Sequence, residues 1–488
     1  MRANRSAGGA METKAWVREI PRKQDNLSDW YTAVLLKAEM VDYSPVRGCM
    51  VIRPYGWAVW EAIQRWLDTE FRRTGHETAA FPLFVPESLL RREAEHVQGF
   101  APQVAWVTHG GDEELAERLA VRPTSEAIIM PMYARWIQSY RDLPVRILQW
   151  GSVVRWEKAT RPFLRTTEFF WHEGHTAHRT AEEADEECRL ILDIYRRLLE
   201  GELAMPVLVG RKPPSEKFAG ADWTYTLEAL MPDGQAIQAG TSHFLGQNFA
   251  RAFDVKFLDR DNTEKYVWTT SWAVTTRLVG ALVLAHGDDR GLFLPPRVAP
   301  VQVVVVPVRA EREPAVLERA RRLLVELGGR FRVKLDDREE YTPGWKFNEW
   351  EMRGVPVRVE LGPRDLQEGR AVVVARDAEG QRRSVPLESL ADAVATELEA
   401  IQARMLDRAR AFLEAHTAPA RDYADAVERI RQRQGFVGVR WCGDQSCEDR
   451  LREDSGGSPR VIPGEPVEGP CLVCGRAARA IVYFARAY

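Results

Sequence analysis

The pattern that decides the fold is Val154-Arg155-Trp156-Glu157-Lys158-Ala159-Thr160-Arg161-Pro162-Phe163-Leu164-Arg165-Thr166-Thr167-Glu168-Phe169-Phe170. It predicts two strands joined by a short basic loop. Residues two apart on a strand point to the same face, so Arg155 and Glu157 would present a cation and a carboxylate to one site. Arg165 adds a planar donor fork suited to phosphate oxygens, and Phe169 could stack on a purine. Taken alone, the same residues also fit a solvated cross-strand ion pair.

The chain around this pattern has 488 residues, a length that favours about three domains. Residues 15–298 alternate helical stretches with short apolar strands, without the regular strand–helix order of a parallel sheet. This order predicts a mixed or antiparallel sheet flanked by helices. Pro295, Pro296 and Pro300 then mark a domain boundary.

Residues 301–388 predict a small α/β domain with a mostly parallel sheet. The apolar run Val301–Pro307 is typical of a strand buried on both faces, and a helix with apolar residues at helical spacing follows and ends at Gly328-Gly329. Further strands are predicted at Phe331–Leu335, Val355–Glu360 and Ala371–Ala375, and a helix from about Glu388 to His416.

Composition excludes some classes of protein. With 45% apolar and 28% charged residues the chain is typical of a globular protein, and its net charge of −3 neither supports nor excludes a nucleic-acid partner. No apolar run reaches the length of a membrane span. Residues 1–14 lack the apolar centre of a secretory signal and predict a disordered leader, so the expected location is cytoplasmic.

Four of the six cysteines form two close pairs, Cys442-x4-Cys447 and Cys471-x2-Cys474. Two such pairs can supply four thiolates to a tetrahedral Zn²⁺ that is structural, because no ligand position stays open. The alternative is four free thiols or two disulfides, which a cytosolic context disfavours. The isolated Cys49 and Cys188 are expected to be inert thiols, and Cys188 follows a helix start at Thr180-x-x-Glu183.

One further pattern, His172-Glu173-Gly174-His175 followed by His178, is similar to a zinc protease signature. That signature needs histidines at i and i+4 on a helix, whereas here they are at i and i+3 with a glycine between them. A segment lining a pocket next to the Val154–Phe170 pattern is the preferred interpretation.

Three motifs in one order resemble those of the class II aminoacyl-tRNA synthetases. Gly75-His76-Glu77-Thr78-Ala79-Ala80-Phe81-Pro82 resembles their first motif, Val154–Phe170 the second, and Ser271-Trp272-Ala273-Val274-Thr275-Thr276-Arg277 the third. The resemblance implies an α+β catalytic domain, an antiparallel sheet flanked by helices, and a homodimer with Pro82 at its interface. Arg277 would start a helix, where the macrodipole disfavours a cation, so an anionic partner is expected.

More specific stretches resemble the prolyl-tRNA synthetases of the archaeal and eukaryotic type. They are Phe81–Ser88, Arg122-Pro123-Thr124-Ser125-Glu126 and Gly240–Asn248. The resemblance runs from about residue 15 to Tyr488. It implies a catalytic domain at 15–298, an α/β anticodon-binding domain at 299–405 and a small zinc-binding domain at 406–488.

The resemblance also implies a reaction. L-proline would be activated with ATP and Mg²⁺ and transferred to tRNA(Pro), with no membrane involved. Bacterial-type members carry an editing domain between the second and third motifs, and this chain has no room for one between Arg165 and Arg277.

Site residues follow from the resemblance position by position. It implies proline contacts at Thr124, Glu126 and Arg155, with His243 in the pocket wall. Glu126 would hold the protonated ring nitrogen, and Arg155 would bridge the carboxylate and the α-phosphate, so positioning and charge neutralisation matter more than a general base. Arg155 and Arg277 would be catalytic. The expected ATP contacts are Arg155, Glu157, Arg165, Thr166, Phe169, Gln238, Thr241 and Arg277.

In the α/β domain, the resemblance places anticodon contacts at Phe347, Glu351, Arg358 and Arg364. Aromatic side chains among carboxylates and arginines suit unpaired bases. A carboxylate such as Glu351 could accept hydrogen bonds from a guanine of the proline anticodon. The alternative is a solvated charged face with buried aromatics.

Two rival functions are distinguishable. A threonyl enzyme of the same class should have a Cys and two His as zinc ligands in the catalytic domain, and no such trio stands at the matching places. A catalytically inactive relative acting as a binding protein should have lost a motif arginine, yet Arg155, Arg165 and Arg277 are present.

Overall fold

The computed structural model describes residues 20–96, 103–378, 381–464 and 467–488, and the predicted leader, residues 1–14, lies outside them. The helices are α1 Leu27–Lys37, α2 Pro54–Arg73, α3 Glu87–His96, α4 Glu126–Trp136, α5 Ala181–Arg197, α6 Asn248–Phe253, α7 Arg277–His286, α8 Pro314–Gly328, α9 Pro343–Met352, α10 Pro363–Gln367, α11 Leu390–Ala415, α12 Tyr423–Arg431 and α13 Gln445–Ser455. Short 3₁₀ or π turns lie at Tyr140–Asp142, Leu198–Glu202, Pro214–Glu216 and Leu387–Ser389.

The strands up to the third motif are β1 Val41–Tyr43, β2 Met50–Ile52, β3 Glu77–Thr78, β4 Phe84–Pro86, β5 Trp106–Gly110, β6 Glu113–Val121, β7 Val145–Val154, β8 Glu168–His178, β9 Leu208–Arg211, β10 Trp223–Leu230, β11 Gln235–Gly246, β12 Lys256–Leu258, β13 Glu264–Tyr266 and β14 Trp268–Thr275. The later strands are β15 Val303–Pro307, β16 Val333–Leu335, β17 Val357–Leu361, β18 Arg370–Ala375, β19 Arg383–Pro386, β20 Thr417–Pro419, β21 Phe436–Trp441, β22 Ser458–Val461 and β23 Ala480–Ala487.

An antiparallel ladder forms the centre of the first unit, residues 20–298. β8 pairs antiparallel with β7 and β14, β14 with β11, and β11 with β10, while β3 adds a parallel edge to β7. Helices α5 and α7 pack on β11 and β14 in one apolar core, and α5 begins where the Thr180 side chain accepts a hydrogen bond from the Glu183 N–H. The predicted antiparallel sheet flanked by helices, and with it the α+β class, is confirmed.

The second unit, residues 299–405, has a five-stranded sheet in the order β16-β15-β17-β18-β19. β15 is buried along its whole length, as its apolar run predicts. The prediction of a mostly parallel sheet is wrong, because β17–β18 and β18–β19 are antiparallel and only the pairings of β15 are parallel. The connections between these last strands are too short for a parallel crossover. The sequence does not predict β19, since Val385 is its one buried residue.

Helix α11 passes without a break through the boundary predicted between residues 405 and 406. Its first turns place Leu390, Val394 and Leu398 in the core of the second unit. Near its end, Phe412 and Leu413 pack with Phe436 and Leu230. One helix therefore serves the second unit and the C-terminal unit together.

The C-terminal unit, formed by residues 416–488 after α11, extends the sheet of the first unit. β23 pairs antiparallel with β21 and β22, and its last residues pair parallel with β11 at Gln235 and Ala236. The sheet that results has 11 strands, with β3 at one end of its main path and β20 at the other. None of the described helices is long and apolar enough to cross a membrane.

Candidate active site

One cavity brings together all the residues that the sequence predicts for proline and ATP. It lies where β8, β10, β11 and β14 face the loop between β7 and β8. The predicted residues that line it are Thr124, Glu126, Arg155, Glu157, Arg165, Thr166, Phe169, Gln238, Thr241, His243 and Arg277.

Arg122 anchors the segment that carries Thr124 and Glu126. Its guanidinium lies directly over Gly151, where an added Cβ would be 2.2 Å from Nη2. Nε donates to the Ser152 carbonyl at 3.0 Å and Nη1 to the Phe81 carbonyl at 3.1 Å. These bonds fix the segment to β7, so that helix α4 begins at the cavity.

Glu126 is the first residue of α4 and is only 2% exposed. A carboxylate is favoured there because the helix N-terminus carries partial positive charge. The Thr124 hydroxyl donates a hydrogen bond to it. The cavity thus contains a buried carboxylate suited to a cationic amine.

Glu173 holds the neighbouring groups in place. It accepts hydrogen bonds from the Ser125 backbone N–H at 3.2 Å, from the Ser125 hydroxyl, and from Gln149 Nε2 at 2.7 Å. Its Oε2 lies 3.1 Å from His175 Nε2. Burial disfavours the charge on His175, but the bond to Glu173 and the nearby carboxylates outweigh it and raise the pKa of His175.

Arg155 lies one residue beyond β7, so the prediction that Arg155 and Glu157 lie on a strand is wrong, although both residues line the same cavity as expected. Its backbone still continues the ladder through a bond from its N–H to the Thr167 carbonyl. Nε donates to the Pro123 carbonyl at 3.0 Å, and the guanidinium packs on Phe169 and Trp171. Burial lowers the pKa of Arg155, with Glu126 and Glu173 opposing the shift.

Arg277 begins α7 directly after β14, as the third motif predicts. Its Nε donates to the Leu164 carbonyl at 3.0 Å. Burial lowers its pKa, and the charge of Arg155 lowers it further. Among the described residues, the Nη atoms of Arg155 and Arg277 donate to no protein acceptor. The two guanidiniums therefore offer donors to an anion in the cavity.

His243 forms part of a neutral wall. Its Nδ1 lies 2.9 Å from the Thr224 hydroxyl and its Nε2 lies 3.1 Å from the Thr241 hydroxyl. The Phe218 ring packs on it with centroids 4.7 Å apart. Burial lowers the pKa of His243 to about 3, so the imidazole is uncharged at neutral pH.

The outer rim carries a preformed ion pair. Arg165 Nε and Nη2 lie 2.8 and 2.7 Å from Glu157 Oε2, and more than half of the Arg165 side chain is exposed. Thr166 donates to the Glu168 carbonyl at 2.6 Å. Arg165 and Glu157 thus lie at the rim of the cavity, whereas Thr166 is a buried residue of its lining.

Several residues that line the cavity were not predicted from the sequence, among them three that follow the predicted Phe169 on β8. Phe169, Trp171, Glu173 and His175 alternate along β8 and all face the cavity. A period-two reading continued from Phe169 finds the other three, and it agrees with the interpretation of His172–His175 as a pocket-lining segment. Glu216 and Phe218 also line the cavity but lie in a loop, where no periodicity signals them.

The four C-terminal cysteines converge. Their sulfurs lie within 4.8 Å of one another, with Cys442 Sγ 3.7 Å from Cys447 Sγ and 3.6 Å from Cys474 Sγ. Zn–S bonds of about 2.3 Å in a tetrahedron place sulfurs about 3.8 Å apart. Arg476 Nε and Nη2 lie 3.3 and 3.5 Å from two of these sulfurs, a second layer suited to thiolates. The fourth ligand of the set is Cys471. The residues present fit a structural Zn²⁺.

Three of the four predicted anticodon residues meet. Phe347 and Glu351 lie one turn apart on α9, and the Arg358 guanidinium on β17 lies 4.1 Å over the Phe347 ring and 3.5 Å from Glu351 Oε1. Arg364 lies beyond the other end of β17, in α10, and no described contact joins it to these three. The structure therefore does not bring Arg364 into this group.

Three family models match successive parts of the chain. They are described as tRNA synthetase class II core domain (G, H, P, S and T) over residues 106–286, anticodon binding domain over 302–397, and prolyl-tRNA synthetase, C-terminal, over 423–488.

Relatives match over nearly the whole chain. A proline–tRNA ligase of Natranaerobius thermophilus is 54% identical over 97% of this chain and 99% of its own length. Another, from Symbiobacterium thermophilum, is 52% identical over 98% of this chain and 100% of its own length. The chain belongs to the prolyl-tRNA synthetase family.

A solved structure has the same fold. The crystal structure of prolyl-tRNA synthetase from Cryptosporidium parvum, complexed with halofuginone and AMPPNP, is 40% identical, with a TM-score of 0.91 over 96% of this chain and 99% of that one. As a member of the prolyl-tRNA synthetase family the chain is a ligase that forms aminoacyl-tRNA. The threonyl rival is set aside.

No editing domain is inserted between the second and third motifs of this family member. The segment from Arg165 to Arg277 is described throughout, and β8 to β14 with α5 and α6 occupy it as parts of the first unit. The two relatives from Natranaerobius and Symbiobacterium are bacterial, whereas the solved structure comes from a eukaryote.

Proposed function

We propose that this chain activates L-proline with ATP and transfers the prolyl group to tRNA(Pro), using the cavity described above. The observation that carries the proposal is that one cavity contains the buried carboxylate of Glu126 and the guanidiniums of Arg155 and Arg277. A zwitterionic amino acid and a polyphosphate need this pairing of one anionic and two cationic groups.

Proline binds at the Glu126 end. The Glu126 carboxylate accepts hydrogen bonds from the protonated ring nitrogen, with Thr124 orienting it. The neutral His243 supports the apolar ring because burial keeps it uncharged. Arg155 then faces the carboxylate of proline, since its Nε is already committed to the Pro123 carbonyl and its Nη atoms point into the cavity.

Adenylate formation proceeds by attack of a proline carboxylate oxygen on the α-phosphorus, with pyrophosphate leaving. The nucleophile is ionised at neutral pH, so no general base is required. Arg155 bridges the carboxylate and the α-phosphate, and Arg277 stabilises negative charge on the phosphate from the start of α7. Catalysis rests on positioning and on preorganised donors.

ATP lies along the remaining lining residues. Phe169 offers its ring to the adenine, and Gln238, Thr241 and Thr166 offer hydrogen-bonding groups. Arg165 and Glu157 act at the rim, where the ion pair between them opens to contact the nucleotide. Mg²⁺ accompanies ATP, as in class II synthetases generally.

The chain carries the domain plan of the archaeal and eukaryotic type, and its role in translation places it in the cytoplasm. Support comes from the match of residues 423–488 to the prolyl C-terminal family model and from the Cys cluster within them. Cys442, Cys447, Cys471 and Cys474 hold a Zn²⁺ that ties together the loops of the C-terminal unit. Phe347, Glu351 and Arg358 contact the anticodon.

The enzyme is a homodimer that uses the face next to Pro82. Leu83 and Phe84 are each about two-fifths exposed in this face, and Trp136 packs beside Phe81 with its own ring partly exposed. Exposed apolar side chains grouped in this way mark protein interfaces. Phe84→Glu should shift the sedimentation coefficient toward that of a monomer.

The proposed function is tested by ATP–pyrophosphate exchange with each of the twenty amino acids. Proline should give the highest kcat/KM, because the geometry pairs a secondary ammonium with Glu126 and a compact ring with His243. A higher value for any other amino acid would overturn the assignment.

A further inference from the structure

One wall of the cavity belongs to no strand. This wall, residues Pro214–Phe218, contributes Glu216 and Phe218 to the lining. Pro213 and Pro214 have no N–H to give to a neighbouring strand, and the wall contains only a single 3₁₀ turn. The side chains of Ser215 and Glu216 in this wall form hydrogen bonds outside the first unit's sheet.

Those contacts come from α13 in the C-terminal unit. Arg452 Nη2 lies 2.8 Å from Glu216 Oε1 and 3.2 Å from Glu448 Oε1, so it bridges carboxylates of two units. The Ser215 hydroxyl donates to the same Glu448 oxygen. Glu448 and Arg452 are four residues apart on α13 and share a helix face.

Helix α13, which contacts the wall, is itself held in place by buried contacts. Glu448 is 2% exposed and follows Cys447 of the Cys cluster directly. Close by, a buried ion group links the two units, since Arg460 donates to Glu228 at 2.8 and 3.0 Å and Lys212 donates to the same carboxylate at 2.6 Å. Helix α13 can therefore hold the wall in a fixed position.

The wall in turn contacts the amino-acid end of the cavity. Phe218 packs on His243, and its backbone N–H donates to the Thr224 hydroxyl at 3.0 Å, which lies 2.9 Å from His243 Nδ1. Phe218 lies two residues after Glu216 in the chain. A shift of Glu216 would therefore move Phe218 and disturb its packing on His243. Contacts of this kind govern how well a small apolar ring is held.

We propose that Glu448 and Arg452 are positioning residues for the proline pocket, acting through Ser215 and Glu216 to keep Phe218 against His243. The inference rests on the proposed function, because it specifies which end of that cavity the C-terminal unit controls. Neither residue touches substrate. Their loss should weaken proline binding and leave the ATP end largely intact.

The test compares Arg452→Gln with Arg452→Lys and with Arg450→Gln, an exposed arginine of the same helix. Proline-dependent exchange, without tRNA, gives KM and kcat separately. We expect Arg452→Gln to raise KM for proline about tenfold, the size of a lost hydrogen bond to a charged group. KM for ATP and kcat should change by less than about twofold, Arg452→Lys should recover most of the loss, and Arg450→Gln should match the wild type.

Two further variants keep the inference falsifiable if Arg452→Gln folds poorly. Ser215→Ala changes one exposed side chain and should raise KM for proline in the same direction. In a double-mutant cycle, the effects of Glu216→Gln and Arg452→Gln on KM for proline should not add, because both substitutions remove the same contact. An unchanged proline KM in Arg452→Gln or in Ser215→Ala, or equal loss of kcat, zinc content and Tm, would overturn the inference. Absence of proline-dependent exchange in the wild type would instead overturn the proposed function.

Discussion

Arg155 and Arg277 share one arrangement of their side chains. Each donates from Nε to a backbone carbonyl, of Pro123 and of Leu164, and each turns its Nη atoms toward the cavity. Burial lowers the pKa of both guanidiniums, and Arg155 lowers that of Arg277 further. An anion between them relieves this repulsion, which is the physical reason to expect a phosphate there.

Arg155→Ala and Arg277→Ala should each abolish adenylate formation while the fold persists. A preorganised donor in such a site is commonly worth about 3–4 kcal/mol, or a hundredfold or more in rate. Pyrophosphate exchange measures the rate, and thermal unfolding checks the fold. Arg72→Ala, which removes an exposed arginine on α2, is the control. Near-normal exchange in either active-site variant would remove that residue from the mechanism.

At the scale of single elements, helix α9 presents Phe347 and Glu351 to Arg358 on β17. Glu351→Ala and Arg358→Ala should impair charging of tRNA(Pro) yet spare proline-dependent exchange, because adenylate formation needs no anticodon. Arg364→Ala should have the smaller effect on charging, since Arg364 lies apart on α10. Parallel losses in both assays would show that the α9 residues support the fold instead.

The Cys cluster joins the turn between β21 and α13, together with the start of α13, to the segment that precedes β23. The isolated protein should carry one zinc per chain, and Cys471→Ser should destabilise this unit, because metal binding supplies folding free energy to small loop-rich regions. Cys49→Ser, which removes an isolated cysteine, should leave metal content unchanged. Elemental analysis of freshly purified, reduced protein decides the matter, and a zinc-free sample would refute the site.

For the whole molecule, buried histidines predict loss of stability in acid. Burial lowers the pKa of His172 and His243 to about 3, and of His178 and His286 to about 4. The unfolded chain binds these protons below about pH 6.5 while the folded chain does not, so the free energy of unfolding falls as pH falls from about 6.5 toward 4.

His175 has the opposite sign, because Glu173 raises its pKa. Its contribution is complete below the unfolded pKa and is lost as pH rises through the folded value. Four histidines lower the stability of the protein in acid and one raises it. The net expectation is a smaller free energy of unfolding at acid pH. Denaturant unfolding at neutral pH and at about pH 5 measures the difference, and equal free energies of unfolding at the two pH values would contradict the expectation.

The absence of an inserted editing domain between the second and third motifs predicts uncorrected errors. A pocket for proline cannot exclude alanine, which is smaller, and each missing methylene weakens binding by only about 1–3 kcal/mol. The enzyme should activate alanine slowly and should not hydrolyse alanyl-tRNA(Pro). The test presents preformed alanyl-tRNA(Pro) to the purified enzyme, and deacylation clearly faster than in buffer would reveal an editing site.

Local sequence determined much of this protein. The alternation along β8, the buried apolar run of β15 and the Thr180 start of α5 all arise from neighbours within one element, so periodicity and capping reveal them. The resemblance of short motifs to those of the prolyl-tRNA synthetases also predicted every cavity residue proposed for proline and ATP, on β8 and β11 as well as in the turns between strands.

The contacts between distant segments follow from tertiary packing, not from local sequence. Tertiary packing placed Glu173 beneath Ser125, brought α13 against the wall at Glu216, and separated Arg364 from Arg358. It also continued the central sheet into β23 and carried α11 across a domain boundary. Such contacts depend on how whole layers pack, and no window of neighbouring residues contains that information.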